Sequence, residues 1–411
     1  MGTSPPTATH PVLKTALRRG WRDLNTVQFG VAPAHAVVLG PVDTATGTFL
    51  TLLDGTRGVP LLREEGRRMG LPDGHVDALL HRLTRAGLID DATGGGPAFD
   101  ALRKRKGVLD RLRPDLAALT VLSPEPAAGA QTLAARRTLR VQVRGTGRVG
   151  TVIASVLSAA GIGHVDVRDG GCVEPWDVAP GGLPAESVGE RRDTAAHRAV
   201  RRAAPDRPPR PDRRAGPPHS QPCSRPQPHP QSPSESPSQS QSEEAPLALA
   251  IIAPRDGLSA HTPDPIAAEE LIDSGTPHLY AGVIEATGVV GPLVLPGGTA
   301  CAGCLARDRA DRDPTWPRLI AQWRSGHQQH VPACDVALAT AVAGLAAAHA
   351  LAFLDGELPA STGARWEASS PGLDWHARPV WAHPDCPCGA DRRSKGEQTS
   401  EGEEQHDTMA G

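Results

Sequence analysis

The chain has 411 residues, 44 glycines, 41 prolines and a formal net charge of −3. This length accommodates two or three domains, and aromatic residues make up only 3 % of it, so the core must be largely aliphatic. The near-neutral charge gives no general reason to expect a nucleic acid or an anionic membrane as partner. Because the sequence has neither a secretory signal pattern nor a run of about 20 strongly apolar residues, we expect a cytoplasmic protein without a membrane span.

Residues 10–92 predict a small domain of two strands, three helices and a closing strand. The strands are the β-prone runs 27–31 and 36–39, and the first two helices lie at about 45–53 and 60–69. The third helix begins after Asp73 as its N-cap and has an apolar stripe, and Gly87 provides its left-handed end. The stripe consists of Val76, Leu79, Leu80 and Leu83. This order is typical of a winged helix-turn-helix.

Winged helices commonly bind DNA, but the charge pattern of this segment argues against that function. Residues 10–92 contain ten Lys or Arg and nine Asp or Glu, whereas a phosphate-reading surface normally has a basic stripe. Recognition of a peptide or protein is therefore favoured. Residues 93–130 are predicted to be a linker with a helix, introduced by a Gly-rich break.

A strand–turn–helix unit begins the next domain, predicted to be Rossmann-like and to span 131–390. A buried strand at 139–143 leads into the turn G-T-G-R-V-G, with Gly145, Gly147 and Gly150, and a helix follows. The second strand ends at Asp169, where a carboxylate can accept hydrogen bonds from ribose hydroxyls. The turn thus predicts a phosphate cradle, and the alternative is a Rossmann fold that keeps the glycines for packing alone.

Downstream, a helix at 186–203 and strands at 247–252, 277–284 and 289–295 are predicted to complete the sheet. Residues 201–246 are rich in Pro, Ser, Gln and Arg and have no large apolar residue, so we expect a disordered insert there. The Ala-rich segment 336–354 predicts a packed core helix. The tail 391–411 has the composition of a disordered segment.

Two close cysteine pairs predict a metal site. Cys301 and Cys304 form a C-x-x-C motif after a predicted strand, and Cys386 and Cys388 form a C-P-C motif near the C-terminus. Four thiolates suit tetrahedral Zn²⁺, and the separation of the pairs implies a structural zinc that joins distant segments. His383 could replace one thiolate, and a disulfide is the weaker alternative because nothing suggests export.

These motifs together resemble the ThiF/MoeB/HesA superfamily, the ubiquitin-activating-type adenylyltransferases. The sequences G-T-A-C-A-G-C at 298–304, R-A-D-R-D-P-T-W-P at 309–317 and H-P-D-C-P-C-G at 383–389 are similar to the cyclodehydratase-like members of thiazole- and oxazole-modified peptide biosynthesis. The resemblance implies a zinc held by the two cysteine pairs, ATP as the superfamily's cosubstrate, and a winged helix that binds the leader of a precursor peptide.

The chain departs from the catalytic pattern that the resemblance implies. Gly171 stands where active members have a second acid, and Arg192 corresponds to a lysine that acts near the phosphates. The sequence has four lysines and none between residues 107 and 394, so no other lysine of this domain could take that role. Arginine keeps the charge but not the compact ammonium geometry. The magnesium-binding acid is displaced, with Asp256 as its nearest counterpart.

The leading hypothesis is therefore a zinc-containing ThiF-type protein without a catalytic residue of its own. It would bind a bacteriocin-like precursor peptide and present it to an ATP-using cyclodehydratase partner of the YcaO type. The resemblance also implies a homodimer, which the superfamily often forms. The first alternative is an active adenylyltransferase that binds ATP with the three glycines, Asp169 and Arg192. The second is a winged-helix DNA-binding regulator.

Overall fold

The computed structural model describes residues 8–206, 246–325 and 331–390. Residues 207–245 of the predicted insert and the predicted tail 391–411 lie outside the described residues. The chain divides into two compact units, Met1–Arg137 and Thr138–Gly411.

Within residues 8–137, the first unit contains five short strands and six α-helices. Strand β1 pairs with β5, and β2, β3 and β4 form an antiparallel sheet in that order. The strands are β1 Pro11–Leu13, β2 Arg19–Asp23, β3 Thr26–Phe29, β4 Val37–Leu39 and β5 Ile89–Asp91. The helices are α1 Thr44–Phe49, α2 Val59–Arg68, α3 His75–Arg85, α4 Gly96–Arg103, α5 Lys106–Leu122 and α6 Ala128–Arg136.

The observed first unit differs from the predicted one in two details. Helix α3 has Gly74 as its N-cap, in the left-handed region with φ of 78°, so Asp73 does not cap it. The predicted linker at 93–130 contains α4, α5 and the start of α6, and these helices have an apolar cluster of their own. The predicted stripe on α3 is buried, and Gly87 adopts a positive φ of 68°. The winged-helix assignment stays a prediction.

Asp91 connects the ends of the β1–β5 pair. Its carboxylate accepts hydrogen bonds from the backbone nitrogen of Thr9 at 2.7 Å and from that of Thr93 at 2.9 Å, and both hydroxyls also donate to it. Burial alone would raise the pKa of Asp91, but these four hydrogen bonds outweigh it and lower the pKa to about 2. The charged carboxylate therefore stabilises the folded unit.

The replacement D91N should reveal this contribution through its pH dependence. Because the folded-state pKa lies below the unfolded value of 3.8, the stabilisation is present above about pH 4 and disappears as the pH falls toward 2. We expect D91N to lower the urea midpoint at pH 7 and to approach the native protein at acid pH. A deficit that is equal at pH 7 and pH 3 would contradict the assignment to the ionised carboxylate.

The second unit is built on a seven-stranded mixed sheet with the order β12-β11-β10-β9-β8-β6-β7. Its strands are β6 Arg140–Arg144, β7 His164–Arg168, β8 Leu247–Ile252, β9 His278–Ile284, β10 Thr287–Val294, β11 Ala364–Ser369 and β12 His376–Pro379. Its helices are α7 Gly150–Ala159, α8 Arg192–Ala203, α9 Leu258–His261, α10 Pro265–Asp273, α11 Ala302–Arg312, α12 Trp316–Ser325 and α13 Val336–Leu354. This architecture confirms the predicted α/β class.

Strand β6 is the centre of the parallel half of this sheet. It pairs in parallel with β7 on one side and with β8 on the other, and β9 extends the parallel part beyond β8. The chain runs outward from β6 to β7 and then returns to the other side of β6 as β8, so the strand order reverses between β6 and β8. In open α/β sheets ligands bind beside such a switch point, at the carboxyl ends of the strands. The glycine turn lies at this position. Strands β10, β11 and β12 add antiparallel neighbours.

Helix α13 is the single helix among the described residues that is long and apolar enough to cross a membrane. Its buried residues, most of them alanine, pack against β9, β10 and α7 in the main core of the second unit. The observed bounds, Val336–Leu354, are those predicted for a core helix.

Helix α7 offers a matched pair of substitutions for the core of the second unit. Ile153 is fully buried, whereas Val156 on the same helix is 37 % exposed. We expect I153A to lower the free energy of unfolding by about 2–5 kcal/mol, because it loses apolar burial and leaves a cavity. V156A should cost well under half as much. Urea unfolding followed by circular dichroism measures both, and equal effects would contradict this packing.

Candidate functional site

In the glycine turn after β6, backbone segments contact one another so closely that they leave no room for side chains. A Cβ at Gly145 would lie 2.1 Å from the carbonyl oxygen of Ala253, and a Cβ at Gly150 would lie 2.0 Å from that of Gly145. Gly145 also has a positive φ of 100°. Both positions therefore require glycine for the turn itself. Gly147 has more room, because its hypothetical Cβ meets only the side chain of Arg255, at 2.9 Å.

Asp169 follows β7, beside the turn, as predicted. One carboxylate oxygen accepts hydrogen bonds from the backbone nitrogen of Thr146 at 2.7 Å and from its hydroxyl at 2.9 Å. The other accepts from the Arg192 guanidinium at 3.1 Å. Its side chain is 14 % exposed. A ribose hydroxyl would have to compete with these protein donors for the carboxylate.

Arg192, at the start of α8, is held from several directions. Its side chain is 7 % exposed, and it donates to the backbone oxygens of Gly170 at 2.7 Å and Cys172 at 2.5 Å. Its Nε lies 3.3 Å from the buried carboxylate of Asp177. Gly171 leaves space beside it, because a Cβ there would be 3.8 Å from the guanidinium. Arg192 thus uses its guanidinium for contacts with other groups of the protein.

The site contains a second arginine that the sequence motifs do not single out. Arg255, just after β8, donates from Nε to Asp177 at 2.7 Å and forms an ion pair with Glu174. Together with Asp169 and Arg192, these residues form what we call the ionic network. No local motif indicates the pairing, since Arg255 and Asp177 lie 78 residues apart along the chain.

The ionic network borders the cleft beside the glycine turn. The cleft has a volume of about 100 Å³, and its described lining includes Gly147, Trp176, Asp177 and Arg255. The nearest candidate for a magnesium-binding acid, Asp256, is exposed, and its carboxylate accepts a hydrogen bond from the backbone nitrogen of Leu258 instead. The three carboxylates of the ionic network outnumber its two arginines, so it leaves no net positive charge for a phosphate.

Removing the central arginine should destabilise the second unit. We expect R192Q to lower the free energy of unfolding by roughly 3–5 kcal/mol, because it removes the arginine that pairs with the largely buried Asp169 and one of the two arginines beside the buried Asp177. The neighbouring R191Q is the control: Arg191 is exposed and pairs with Asp193 at 2.8 Å, a kind of pair worth about 0–1 kcal/mol. Urea unfolding measures both. Similar losses for the two variants would contradict a structural role of the network.

The four predicted metal ligands converge at the start of α11. The sulfur atoms of Cys301, Cys304, Cys386 and Cys388 lie within 4.8 Å of one another. The distance is 3.9 Å within the first pair, and two contacts between the pairs measure 3.6 Å each. A disulfide requires about 2.05 Å, so these are thiols rather than cystines.

These distances fit tetrahedral zinc. Zn–S bonds of about 2.3 Å in a tetrahedron place the sulfurs about 3.8 Å apart, close to the measured separations. The sulfurs pack against Tyr280 and Val294 at the end of the sheet, so ligand access to the site is restricted, as in structural zinc centres. The hydrogen bond from Cys301 lowers the pKa of Cys304 to about 4, while burial raises that of Cys388 to about 11. A divalent cation would let all four ionise.

The surroundings of the four cysteines support this ligand set. Both ring nitrogens of His383 are occupied, Nδ1 by the backbone N–H of Asp385 at 3.2 Å and Nε2 by the carboxylate of Asp311 at 2.8 Å. His383 is therefore not placed as a ligand. A guanidinium nitrogen of Arg307 lies 3.8 Å from the sulfur of Cys386, where it would offset thiolate charge.

The metal site gives a direct prediction. We expect the purified chain to contain about one equivalent of zinc, and the double variant C301S/C304S to lose the metal and become insoluble, because structural zinc sites contribute folding free energy directly. The control is C334S, which changes a cysteine outside the cluster. Atomic absorption and solubility are the measurements. A soluble, metal-free double variant with an unchanged melting temperature would rule out a structural zinc.

Solved structures with the same fold include a microcin C7 biosynthetic enzyme and a heterocyclase. E. coli MccB, solved with succinimide, is 13 % identical with a TM-score of 0.60, and the match covers 93 % of this chain and 99 % of that one. A second structure describes MccB as a microcin C7 biosynthetic enzyme in complex with N-formylated MccA, at the same identity and TM-score and with 92 % and 99 % coverage. The heterocyclase TruD matches at 14 % identity and a TM-score of 0.55, covering 94 % of this chain but 43 % of its own.

No curated protein matches the sequence. The family model for the ThiF family matches residues 124–390, which is more than half of the chain and includes the glycine turn, the ionic network and all four clustered cysteines. The chain is therefore a member of the ThiF family.

Proposed function

We propose that this chain binds the leader of a precursor peptide and presents it to a separate cyclodehydratase of the YcaO type, in the cytoplasmic synthesis of a ribosomal peptide natural product. In this role the ThiF domain is a scaffold that contains structural zinc, and the chemistry belongs to the partner. The observation that carries the proposal is the ionic network, in which the charged residues beside the glycine turn bind one another.

Phosphoryl and adenylyl chemistry requires cationic groups that are free to stabilise developing charge on the phosphates. Here Arg192 donates to two backbone oxygens and to Asp169, and Arg255 pairs with Glu174 and Asp177. Releasing Arg192 toward a triphosphate would take the arginine from the largely buried Asp169, and releasing Arg255 would leave the buried Asp177 with one arginine. Breaking such buried pairs costs free energy. The sequence offers no lysine in this domain as a substitute.

The peptide-binding part of the proposal concerns the three-stranded sheet of the first unit. Strand β4 is an edge of that sheet, and Val38 on it is 50 % exposed. A guanidinium of Arg82 on α3 donates to the backbone oxygen of Gly40, just after this strand, so α3 lies beside the same edge. An extended peptide could add to β4 and contact α3, which is a common mode of peptide recognition. Relatives of the ThiF domain solved with a peptide or named as heterocyclases support a peptide partner.

The first test asks whether the chain carries out ATP chemistry alone. With the precursor peptide encoded beside this chain's gene, we expect no exchange of pyrophosphate into ATP and no calorimetric heat with millimolar MgATP. Adding the cyclodehydratase partner should give products that have lost one water per ring, by mass spectrometry. Pyrophosphate exchange by the purified chain alone would overturn the scaffold role.

The second test addresses the leader. A fluorescein-labelled leader segment of the same precursor should bind the native chain, and V38D should weaken it about tenfold by placing a charge on the β4 edge. The control L24D changes a residue that is 92 % exposed in the turn before β3. Fluorescence polarisation measures all three. If V38D binds the leader as tightly as the native chain, the β4 edge is not the leader-binding site.

The alternative function is an active adenylyltransferase. It is favoured by the intact geometry of the glycine turn, and MccB itself has been solved with ATP at 12 % identity and a TM-score of 0.57. In that case Gly145, Gly147, Gly150, Asp169 and Arg192 would surround the nucleotide after rearrangement of the ionic network. Tight, magnesium-dependent ATP binding would distinguish it from the scaffold.

A further inference from the structure

A second cavity of the ThiF domain lies away from the glycine turn, where α11 and α12 approach strands β11 and β12. Its volume is about 100 Å³, and none of its lining residues belongs to the ionic network. Arginine and tryptophan side chains dominate it. The residues that matter for its chemistry are Arg309, Arg365, Arg378, Trp316 and Trp381.

Two of the arginines share one carboxylate. Arg365 on β11 lies opposite Arg378 on β12 in the strand register, and both contact Glu367, each at 2.5 Å. The Glu367 side chain is 12 % exposed. Burial lowers the pKa of Arg365, but the adjacent carboxylate opposes this effect and keeps the guanidinium charged. Glu367 therefore orients two guanidiniums and neutralises only one of them.

A third arginine forms no ion pair within the described part of the chain. Arg309 on α11 stacks over the ring of Trp316 at 4.2 Å, and the nearby Arg312 is paired with Asp308 at 2.7 Å. The cavity thus has four arginines against two carboxylates. His261 adds no charge at pH 7, because burial and the neighbouring Arg365 lower its pKa to about 4. The Asp313 carboxylate also interacts with Arg309, so a net charge of about +1 remains beside aromatic surface.

The rim of this cavity has features of a peptide-binding surface. Trp381 is 76 % exposed, and Trp316 forms an edge-to-face pair with Trp323, which is itself half-exposed. Strand β12 is the edge of the seven-stranded sheet, and its residues are exposed. Exposed aromatic rings and arginines are the residue types that dominate binding energy at interfaces. An edge strand offers backbone groups to an extended chain.

We propose that this cavity binds an acidic peptide segment, with an Asp or Glu carboxylate on Arg309 and Arg378 and an adjacent apolar side chain against Trp316 and Trp381. Guanidinium groups that are already oriented match a carboxylate with two parallel hydrogen bonds. The tryptophans favour a peptide over a free inorganic anion, because only a peptide has an apolar side chain that could pack against their rings. The proposal is independent of the leader-binding edge on β4, which involves other residues in the other unit.

The test uses the full-length zinc-containing chain and a labelled probe, the acetylated peptide amide Gly-Asp-Phe-Glu-Gly, with Asn and Gln replacing the two acids in its matched control. We expect the acidic peptide to bind at least tenfold more tightly than the neutral one in fluorescence polarisation, and more weakly as salt rises. R309Q and R378Q should each weaken the acidic peptide about tenfold. R318Q, an exposed arginine of α12 outside the cavity, should leave it unchanged.

Zinc content and the melting temperature of each variant verify that the fold is retained. R309Q is the decisive variant, because Arg309 has no ion pair to break within the described residues and its loss should not impair folding. Equal binding of the acidic and neutral peptides, or unchanged binding by R309Q, would overturn the proposal. So would complete displacement of the peptide by equimolar inorganic phosphate or ATP, which would make the cavity a general anion site.

Discussion

The close approach of the turn after β6 to the end of β8 sets the position of nearly every group in the nucleotide-type site. A Cβ atom at Gly145 or Gly150 would lie about 2 Å from a backbone carbonyl oxygen, so no side chain larger than hydrogen fits there. This contact brings α7 to the carboxyl end of the sheet, with Asp169 on one side and Arg255 on the other. The turn would need the same glycines with or without a bound phosphate, so the motif identifies a fold more securely than a ligand.

The charged side chains beside the glycine turn form ion pairs with one another. Buried ion pairs seldom add net stability over an apolar alternative, yet breaking one is costly. Separating the ion pairs of the network, such as Arg192 with Asp177, therefore costs free energy even where the intact pairs add little stability. It would hold the loops after β7 and β8 in one arrangement, which suits a domain whose task is to keep other parts in place. An adenylyltransferase needs the reverse, groups that are unpaired until ATP arrives.

Local patterns in the sequence predicted the parts of the molecule whose contacts are close along the chain. The strand–turn–helix around Gly145, the core helix 336–354 and the two cysteine pairs are of this kind, since each is defined by spacing within a few residues. Strand β2 could not be found this way, because all five of its residues are exposed and show no alternation. The pairing of Arg255 with Asp177 joins loops 78 residues apart, and only the folded sheet brings them together.

The sulfur cluster connects Cys301, at the start of α11, with Cys386, 85 residues further along the chain and beyond the β11–β12 pair. A metal bound there closes a long loop, so it removes much of the freedom of the unfolded chain. The fraction of folded protein would then depend by mass action on the free zinc concentration of the cell. Under zinc limitation the folded fraction, and with it the edge hairpin that contains Arg365 and Arg378, would decrease without any dedicated metal sensor.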